Sequence, residues 1–158
     1  MEKSSVDAID VRILRAMQVD ASRSVAEIGA EVGLSQTPCW RRIKRLRDSG
    51  IIRSVVAILD SEALGLGFKA YALVKLSMPS TQNMERFDAF VSRCPEVVMC
   101  ERITGAVDYL IKVISTDIKE YDEFLRHKLL ASDLVSDVQS RIVVATVKDT
   151  TALPLHEK

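Results

Sequence analysis

Five cationic side chains lie within seven residues of the chain, and they are Arg41, Arg42, Lys44, Arg45 and Arg47. The only acid in the surrounding segment 35–53 is Asp48, although the whole 158-residue chain balances 22 basic against 22 acidic residues. Like charges at this spacing repel one another unless an anion neutralises them. The segment therefore predicts a polyanionic partner, and nucleic acid is the expected one.

The elements that must position these cations are predicted to be three short helices. Asp7 favours the start of the first helix, and apolar residues recur behind it at helical spacing, as they do again from Val25 to Val32. Gly33 is a typical helix end and Ser35 is a typical N-cap, so a third helix follows a short turn. Its apolar side is formed by Cys39, Ile43 and Leu46. The cations lie on its other sides and are expected to face solvent.

Two helices joined by a short glycine-containing turn are typical of a helix-turn-helix, whose second helix enters the major groove of DNA. Polar residues at the start of that helix can contact base edges, and arginines can bind guanine or phosphate. The predicted DNA-binding residues are Ser35, Gln36, Thr37, Trp40, Arg41, Arg42, Lys44 and Arg45. The alternative is a solvated helix face, but such a face usually alternates the sign of its charges.

The rest of the chain has a mixed pattern of strands and helices. The apolar, β-branched segment IIRSVVAILD (51–60) predicts a strand, and a turn follows it. We then expect strands at 69–78, 97–104, 109–115 and 136–148, with helices at 84–94 and 118–130. The resulting order, βαββαβ, is that of the ferredoxin-like fold with both helices on one sheet face.

The predicted fold class is therefore α+β, with two domains. A three-helix helix-turn-helix domain occupies residues 1–50, and a linker strand and turn occupy residues 51–67. The ferredoxin-like domain occupies residues 68–150, and residues 151–158 form a tail that is too short to fold alone.

Several classes of function are disfavoured by composition. No apolar run approaches the roughly 20 residues that span a bilayer, and no secretory signal is present at the N-terminus. Cys39, Cys94 and Cys100 form no paired motif and are expected to be buried free thiols in a reducing compartment. The two histidines, His127 and His156, lack ligand spacing to any cysteine, so we expect no metal site.

The segments LSQTPCWRRIKRLRDSGII, ITGAVDYLIKV and TVKDTTALPL occur in this order along the chain. Together they resemble the Lrp/AsnC (feast/famine) transcriptional regulators, and the resemblance extends over about residues 6–155. It implies a cytoplasmic transcription factor that is not an enzyme, needs no cofactor and binds double-stranded DNA. It also implies a C-terminal module of ferredoxin-like fold that binds a small effector, expected to be an amino acid, between subunits.

The loop in ITGAVDYLIKV has two interpretations. By resemblance, it binds the effector, and the implied effector-binding residues are Thr104, Gly105, Asp108, Tyr109 and Ser136. Backbone N–H groups near a glycine can hold an α-carboxylate, while a carboxylate such as that of Asp108 can hold an α-ammonium group. The alternative is an ordinary hairpin loop in which Gly105 supplies a positive φ, Asp108 caps the turn and Tyr109 fills the core.

The linker strand indicates assembly. It has few charges, and an unpaired apolar strand exposes an edge that a second copy of the chain can cover. We expect a homodimer with Ile52, Val55 and Val56 near the contact, and the resemblance implies further assembly to a tetramer or octamer. A dimer also places two recognition helices on half-sites about 10 base pairs apart, or a multiple of that distance. The alternative is burial of the linker within its own subunit.

Two other functions remain as alternatives to a DNA-binding regulator. An enzyme or metabolite-binding module would need convergent polar groups within one subunit, and the sequence shows no such set. An RNA-binding sheet would need aromatic residues on its strands, where only Tyr71 and Tyr109 occur.

Overall fold

The computed structural model describes residues 6–156, which form two compact units. The first unit contains residues 6–58 together with residues 148–156, and the second contains residues 59–147. The expected second domain ended at residue 150, so residues 148–150 join the other unit instead. Residues 1–5 of the expected first domain and residues 157 and 158 of the expected tail lie outside the described residues.

Three helices form the first unit: α1 (Ala8–Val19), α2 (Val25–Val32) and α3 (Gln36–Asp48). The first two begin with capping boxes, in which the side chains of Asp7 and Ser24 accept backbone N–H groups three residues ahead. Their apolar stripes meet in one core, which consists of Ile13, Ala16, Ile28, Val32, Cys39, Ile43 and Leu46. The predicted three helices and the predicted apolar side of α3 are confirmed.

The turn between α2 and α3 depends on two glycines. Gly33 ends α2 with a φ of 75°, a left-handed conformation that favours glycine. In the last turn of α2, a Cβ atom on Gly29 would lie 2.8 Å from the carbonyl oxygen of Leu34. Any side chain at this position would therefore push the turn away from α2, and α3 would lose its present placement.

Segment 51–60 was predicted to be a strand, but it does not form one in the single chain. Within the described residues, segment 53–60 pairs with no strand, because its edge has no neighbour in the same subunit. Val55, Val56 and Ile58 are 50%, 69% and 75% exposed, so they are not buried in their own subunit either. Ile52 differs, because its side chain packs against the core of the first unit rather than lying free for a partner.

The second unit has the predicted βαββαβ order. Its elements are β1 (Phe68–Leu76), α4 (Thr81–Val91), β2 (Val97–Arg102), β3 (Tyr109–Ser115), α5 (Ile118–Phe124) and β4 (Val135–Ile142). A π-helical turn, Leu125–Leu129, extends α5. The four strands are antiparallel in the order β2-β3-β1-β4, as in a ferredoxin-like sheet.

The core of the second unit lies on one face of the sheet. Alternate residues of β1 and β3 are buried there with Phe87, Tyr121 and Phe124, whereas the residues between them on the other face are only half-buried. β4 was expected to continue to residue 148 but ends at Ile142, which pairs with Ala70 near the beginning of β1. The ladder therefore ends close to the beginning of its partner strand.

After β4 the chain returns to the first unit. The side-chain amide of Gln18 on α1 exchanges two hydrogen bonds with the backbone of Leu153, at 2.7 and 3.2 Å. Arg15 donates to the carbonyl oxygen of Leu155 at 2.7 Å. The segment after residue 147 is thus a docked part of the three-helix unit, which the sequence did not predict.

Two further predictions concern the burial of the cysteines and membrane-spanning segments. Cys39 and Cys94 are buried free thiols as expected, but Cys100 is exposed, because it lies on β2 at the edge of the sheet. Across residues 6–156, no helix has the length and apolar character that a membrane span requires.

Candidate DNA interface and effector loop

The first turn of α3 presents polar groups to solvent. Ser35, Gln36 and Thr37 are exposed, and the Ser35 hydroxyl makes no capping hydrogen bond, so it can bind a ligand. Trp40 follows one turn later and is 51% exposed. This end of the helix has the accessibility that contact with base edges requires.

The cations of α3 do not all face solvent, which corrects the prediction. Arg42 donates from Nη1 to Asp7 at 2.7 Å and to Asp10 at 2.8 Å, and its side chain is only 27% exposed. Arg45 also pairs with Asp10 while remaining 45% exposed. Arg42 is therefore removed from the DNA-binding set, and Arg45 keeps only part of its guanidinium for an external anion.

The physical reason is the position of Asp10. Its carboxylate closes the capping box of α1 and is completely buried, so it needs cationic partners. Asp7 and Asp10 together raise the pKa of Arg42, and the Asp10 N–H together with Arg42 lowers the pKa of Asp7 to about 2. Asp10 lies three residues before the buried Ile13, so helical spacing already placed this acid on the inner face of α1.

The remaining cations keep their charge available. Lys44 pairs with Asp48 at 2.7 Å, but both side chains are more than half exposed and an i,i+4 pair of this kind contributes only about 0.3–0.5 kcal/mol. Arg41 and Arg47 are exposed and have no ion-pair partner among the described residues. The available positive charge is thus on Arg41, Lys44 and Arg47, and Arg47 was not among the predicted DNA-binding residues.

In the second unit, the loop between β2 and β3 turns at Gly105, whose φ is 124°. Thr104 and Gly105 are exposed. Asp108 accepts the N–H of Leu76 at 2.8 Å through Oδ2, and the Ser136 hydroxyl donates to the carbonyl oxygens of Lys75 and Leu76 at 3.2 Å. The structure therefore brings Asp108 and Ser136 together at the end of β1, although they are 28 positions apart in the sequence.

Tyr109 does not join this group. Its side chain is 1% exposed, its ring centroid lies 4.5 Å from that of Phe87, and its hydroxyl donates to Asp88 at 2.9 Å. Burial and the hydrogen bond to Asp88 raise the pKa of Tyr109 to about 12, so the phenol stays neutral. Tyr109 is a core residue, as the hairpin interpretation expected, and it is removed from the effector-binding set.

Asp88 on α4 also pairs with Arg102, whose guanidinium lies 5.9 Å from the centroid of the Tyr109 ring. Arg102 and Tyr109 face each other across the ladder at the two ends of the loop. One carboxylate therefore holds both ends of the loop against α4. No sequence pattern predicted this arrangement, because Asp88 is distant from the loop along the chain.

Two family models match the chain over most of its length. The AsnC-type helix-turn-helix domain matches residues 6–47, and the Lrp/AsnC ligand binding domain matches residues 69–153. The chain belongs to the Lrp/AsnC family. It is a transcriptional regulator with an AsnC-type DNA-binding helix-turn-helix and an Lrp/AsnC ligand-binding domain.

Similar proteins agree with this assignment. The chain is 39% identical over 151 residues to DecR, a DNA-binding transcriptional activator of Escherichia coli K12. The aligned region covers 96% of this chain and 99% of DecR. It is 39% identical over 145 residues to the proline dehydrogenase transcriptional activator of Rhizobium radiobacter, covering 92% and 93%.

Two crystal structures of regulators share the fold of the Lrp/AsnC chain. One is a transcriptional regulator from Neisseria meningitidis in complex with L-Met, with a TM-score of 0.91, 36% identity and coverage of 95% and 97%. The other is an AsnC family regulator from Agrobacterium tumefaciens, with a TM-score of 0.89, 38% identity and coverage of 94% and 96%. The predicted family and fold are confirmed.

Proposed function

We propose that this Lrp/AsnC protein is a sequence-specific regulator whose assembly or DNA affinity responds to an amino acid bound between subunits. The observation that supports this most is that Asp108 and Ser136 both hydrogen-bond the backbone of Leu76 at the end of β1, and that Gly105 of the same loop as Asp108 is exposed. The protein acts in the cytoplasm, where its DNA partner is.

An amino acid suits the groups around the loop. Oδ1 of Asp108 has no hydrogen-bond partner among the described residues and can accept from an α-ammonium group. The exposed backbone around Gly105 can donate to an α-carboxylate. The similar regulator from N. meningitidis binds L-Met, which makes that amino acid the first ligand to try.

A second copy is needed to enclose the ligand, because Thr104 and Gly105 are open to solvent in one chain. Two surfaces suit this assembly. Among the described residues, the apolar linker around Val55 and Val56 pairs with no strand, and Tyr71, Leu73 and Leu110 lie half-buried on the sheet face opposite the core of the second unit. We propose a homodimer formed through these surfaces, with the dimer associating further into a tetramer or octamer.

On DNA, each protomer of the dimer places one α3 in the major groove. We propose that Ser35, Gln36 and Thr37 contact base edges, while Arg41, Lys44 and the free part of Arg45 bind phosphates or guanine. Trp40 lies beside them. An effector that prefers one assembly shifts the population towards it and changes the spacing of the paired helices.

The test uses the intact chain and the twenty amino acids, beginning with L-methionine. We expect one of them to change the sedimentation coefficient of the wild type and to raise its melting temperature by mass action. Asp108→Asn should abolish both responses while leaving duplex DNA binding in place. Asp122→Asn, which neutralises an exposed carboxylate on α5, is the matched control and should respond as the wild type does.

Two results would contradict the proposal. If Asp108→Asn keeps a full response, the ligand binds elsewhere. If no amino acid changes either property of the wild type, the protein is not an amino-acid-responsive regulator.

A further inference from the structure

The two sides of α3 differ in how much of their charge is available. On the side next to α1, Arg42 and Arg45 pair with the buried Asp10. On the side next to α2, Arg47 is exposed and has no ion-pair partner among the described residues. A polyanion bound by α3 therefore finds unneutralised positive charge on the α2 side, at Arg47, in addition to that of Arg41 on the outer side of the helix.

That side of α3 borders a groove, here called the α2–α3 groove, with a cavity volume of about 410 Å³. Its charged lining residues are Arg23, Lys44, Arg47 and Asp48, so cations outnumber anions by three to one. Its floor is apolar and contains Ile28 and Ile43, which are 2% and 3% exposed. The ring of Trp40 lies at the boundary between the groove and the solvent-facing side of α3, and it is the single tryptophan of the chain.

A cationic rim over an apolar floor matches the chemistry of a DNA strand. The backbone of a DNA strand alternates anionic phosphates with deoxyribose rings whose faces are largely apolar. The groove is also continuous with the proposed DNA surface, because Trp40 and Lys44 line both the groove and the outer side of α3 where Arg41 lies.

We propose that the α2–α3 groove seats the sugar–phosphate backbone of a DNA strand flanking the recognition helix. Arg47 neutralises a phosphate there, and the Trp40 ring packs against a deoxyribose. Arg23 pairs with Glu31 at 2.6 Å and contributes its remaining N–H groups at the rim. These contacts position the protein on the duplex and are independent of base sequence.

This inference extends DNA binding to residues outside the predicted interface, and it rests on DNA binding by this unit. It can be tested without knowing the operator, because backbone contacts form on any duplex. We would measure the affinity of the full chain for a 30-base-pair duplex of arbitrary sequence between 50 and 200 mM KCl.

The first variant is Arg47→Gln. Each phosphate contact adds about 0.9 to the slope of log affinity against log salt, so its loss should lower the slope by about one unit for each protomer on the DNA. The expected loss of affinity at 0.1 M salt is about five- to tenfold for each phosphate contact that is lost. Arg126→Gln removes the same charge from an exposed site in the second unit and should leave the slope unchanged.

The second pair of variants changes Ala21, which lies in the turn after α1. Ala21 is exposed and lines the groove, so Ala21→Glu places a carboxylate in it and the nearly isosteric Ala21→Gln does not. We expect Ala21→Glu to bind several-fold more weakly than Ala21→Gln at 50 mM KCl. The difference should shrink as salt screens the added charge.

The fluorescence of Trp40 distinguishes the other possible occupant, a small organic anion. Duplex DNA should change the emission of the wild type saturably, and benzoate at millimolar concentration should not. A saturable benzoate effect without a DNA effect would overturn the proposal, as would a wild-type slope for Arg47→Gln or equal affinities of the two Ala21 variants. A wild type whose affinity shows no salt dependence would overturn DNA binding itself, and this inference with it.

Discussion

Each unit of the protein contains a carboxylate that binds two side-chain donors, and the two carboxylates differ in burial. Asp10 in the first unit is fully buried and binds Arg42 and Arg45. Asp88 in the second unit is 45% exposed and binds Arg102 and Tyr109. The geometry is alike, but water solvates Asp88 and not Asp10. Removing a partner should therefore matter far more in the first unit.

The largest expected effect is that of Arg42→Ala. This change leaves Asp10 buried with a single cationic partner, which should lower the free energy of unfolding of the first unit by about 3 kcal/mol. Urea unfolding followed by the fluorescence of Trp40 reports on this unit alone. Arg41→Ala, on the exposed side of the same helix, should stay within about 0.5 kcal/mol of the wild type. Equal losses for both variants would show that Asp10 does not need Arg42.

A smaller effect is expected for Asp88→Asn. The Asp88–Arg102 pair is about half exposed, so its loss together with a weaker Tyr109 hydrogen bond should destabilise the second unit by about 1 kcal/mol. Hydrogen exchange of the β3 amides measures this. Glu85→Gln on the same helix changes an exposed carboxylate for which no ion pair was found among the described residues, and should have no effect. If Asp88→Asn were as damaging as Arg42→Ala, burial would not explain the difference between the two sites.

The smallest effect concerns Asp7, which shares Arg42 with Asp10 but is about half exposed. Its pKa is lowered from 3.8 to about 2 in the folded protein by the Asp10 N–H and Arg42. The stabilisation is therefore fully present above pH 3.8 and is lost as the pH falls towards 2. Wild type and Asp7→Asn should differ in stability at pH 5 and converge near pH 2, by the same fluorescence measurement. A difference that stays constant over this range would contradict the role of the Asp7 charge.

The parts of the fold that depend on local pattern were predictable from the sequence. β3 has the predicted bounds, 109–115, because YLIKVIS is a short apolar and β-branched run that begins after a loop and ends at a turn. Alternate residues of a strand share a face, so Tyr109 lies on the inner face with Ile111 and Val113, and this geometry could have excluded Tyr109 from the effector site. The helix-turn-helix was predictable from the apolar stripes, from Gly33 as the end of one helix and from Ser35 as the N-cap of the next.

The parts that were missed depend on contacts that local sequence pattern does not contain. The pairing of Arg42 with Asp10 joins residues 32 positions apart, and no periodicity in α3 reveals a buried acid in α1. The predicted linker strand has no strand partner within residues 6–156, so its apolar, β-branched composition alone does not make it a strand. At the candidate effector loop, the meeting of Asp108 and Ser136 came from the family resemblance and not from spacing.

The return of residues 148–156 to α1 has a consequence for the order in which the protein is made. Gln18 and Arg15 leave the ribosome early, but their backbone partners at Leu153 and Leu155 are synthesised only after the whole second unit. The three-helix unit is therefore discontinuous in sequence and reaches its final set of contacts last. A fragment cut after residue 58 omits one side of it, so the intact chain is the proper material for studies of its DNA binding.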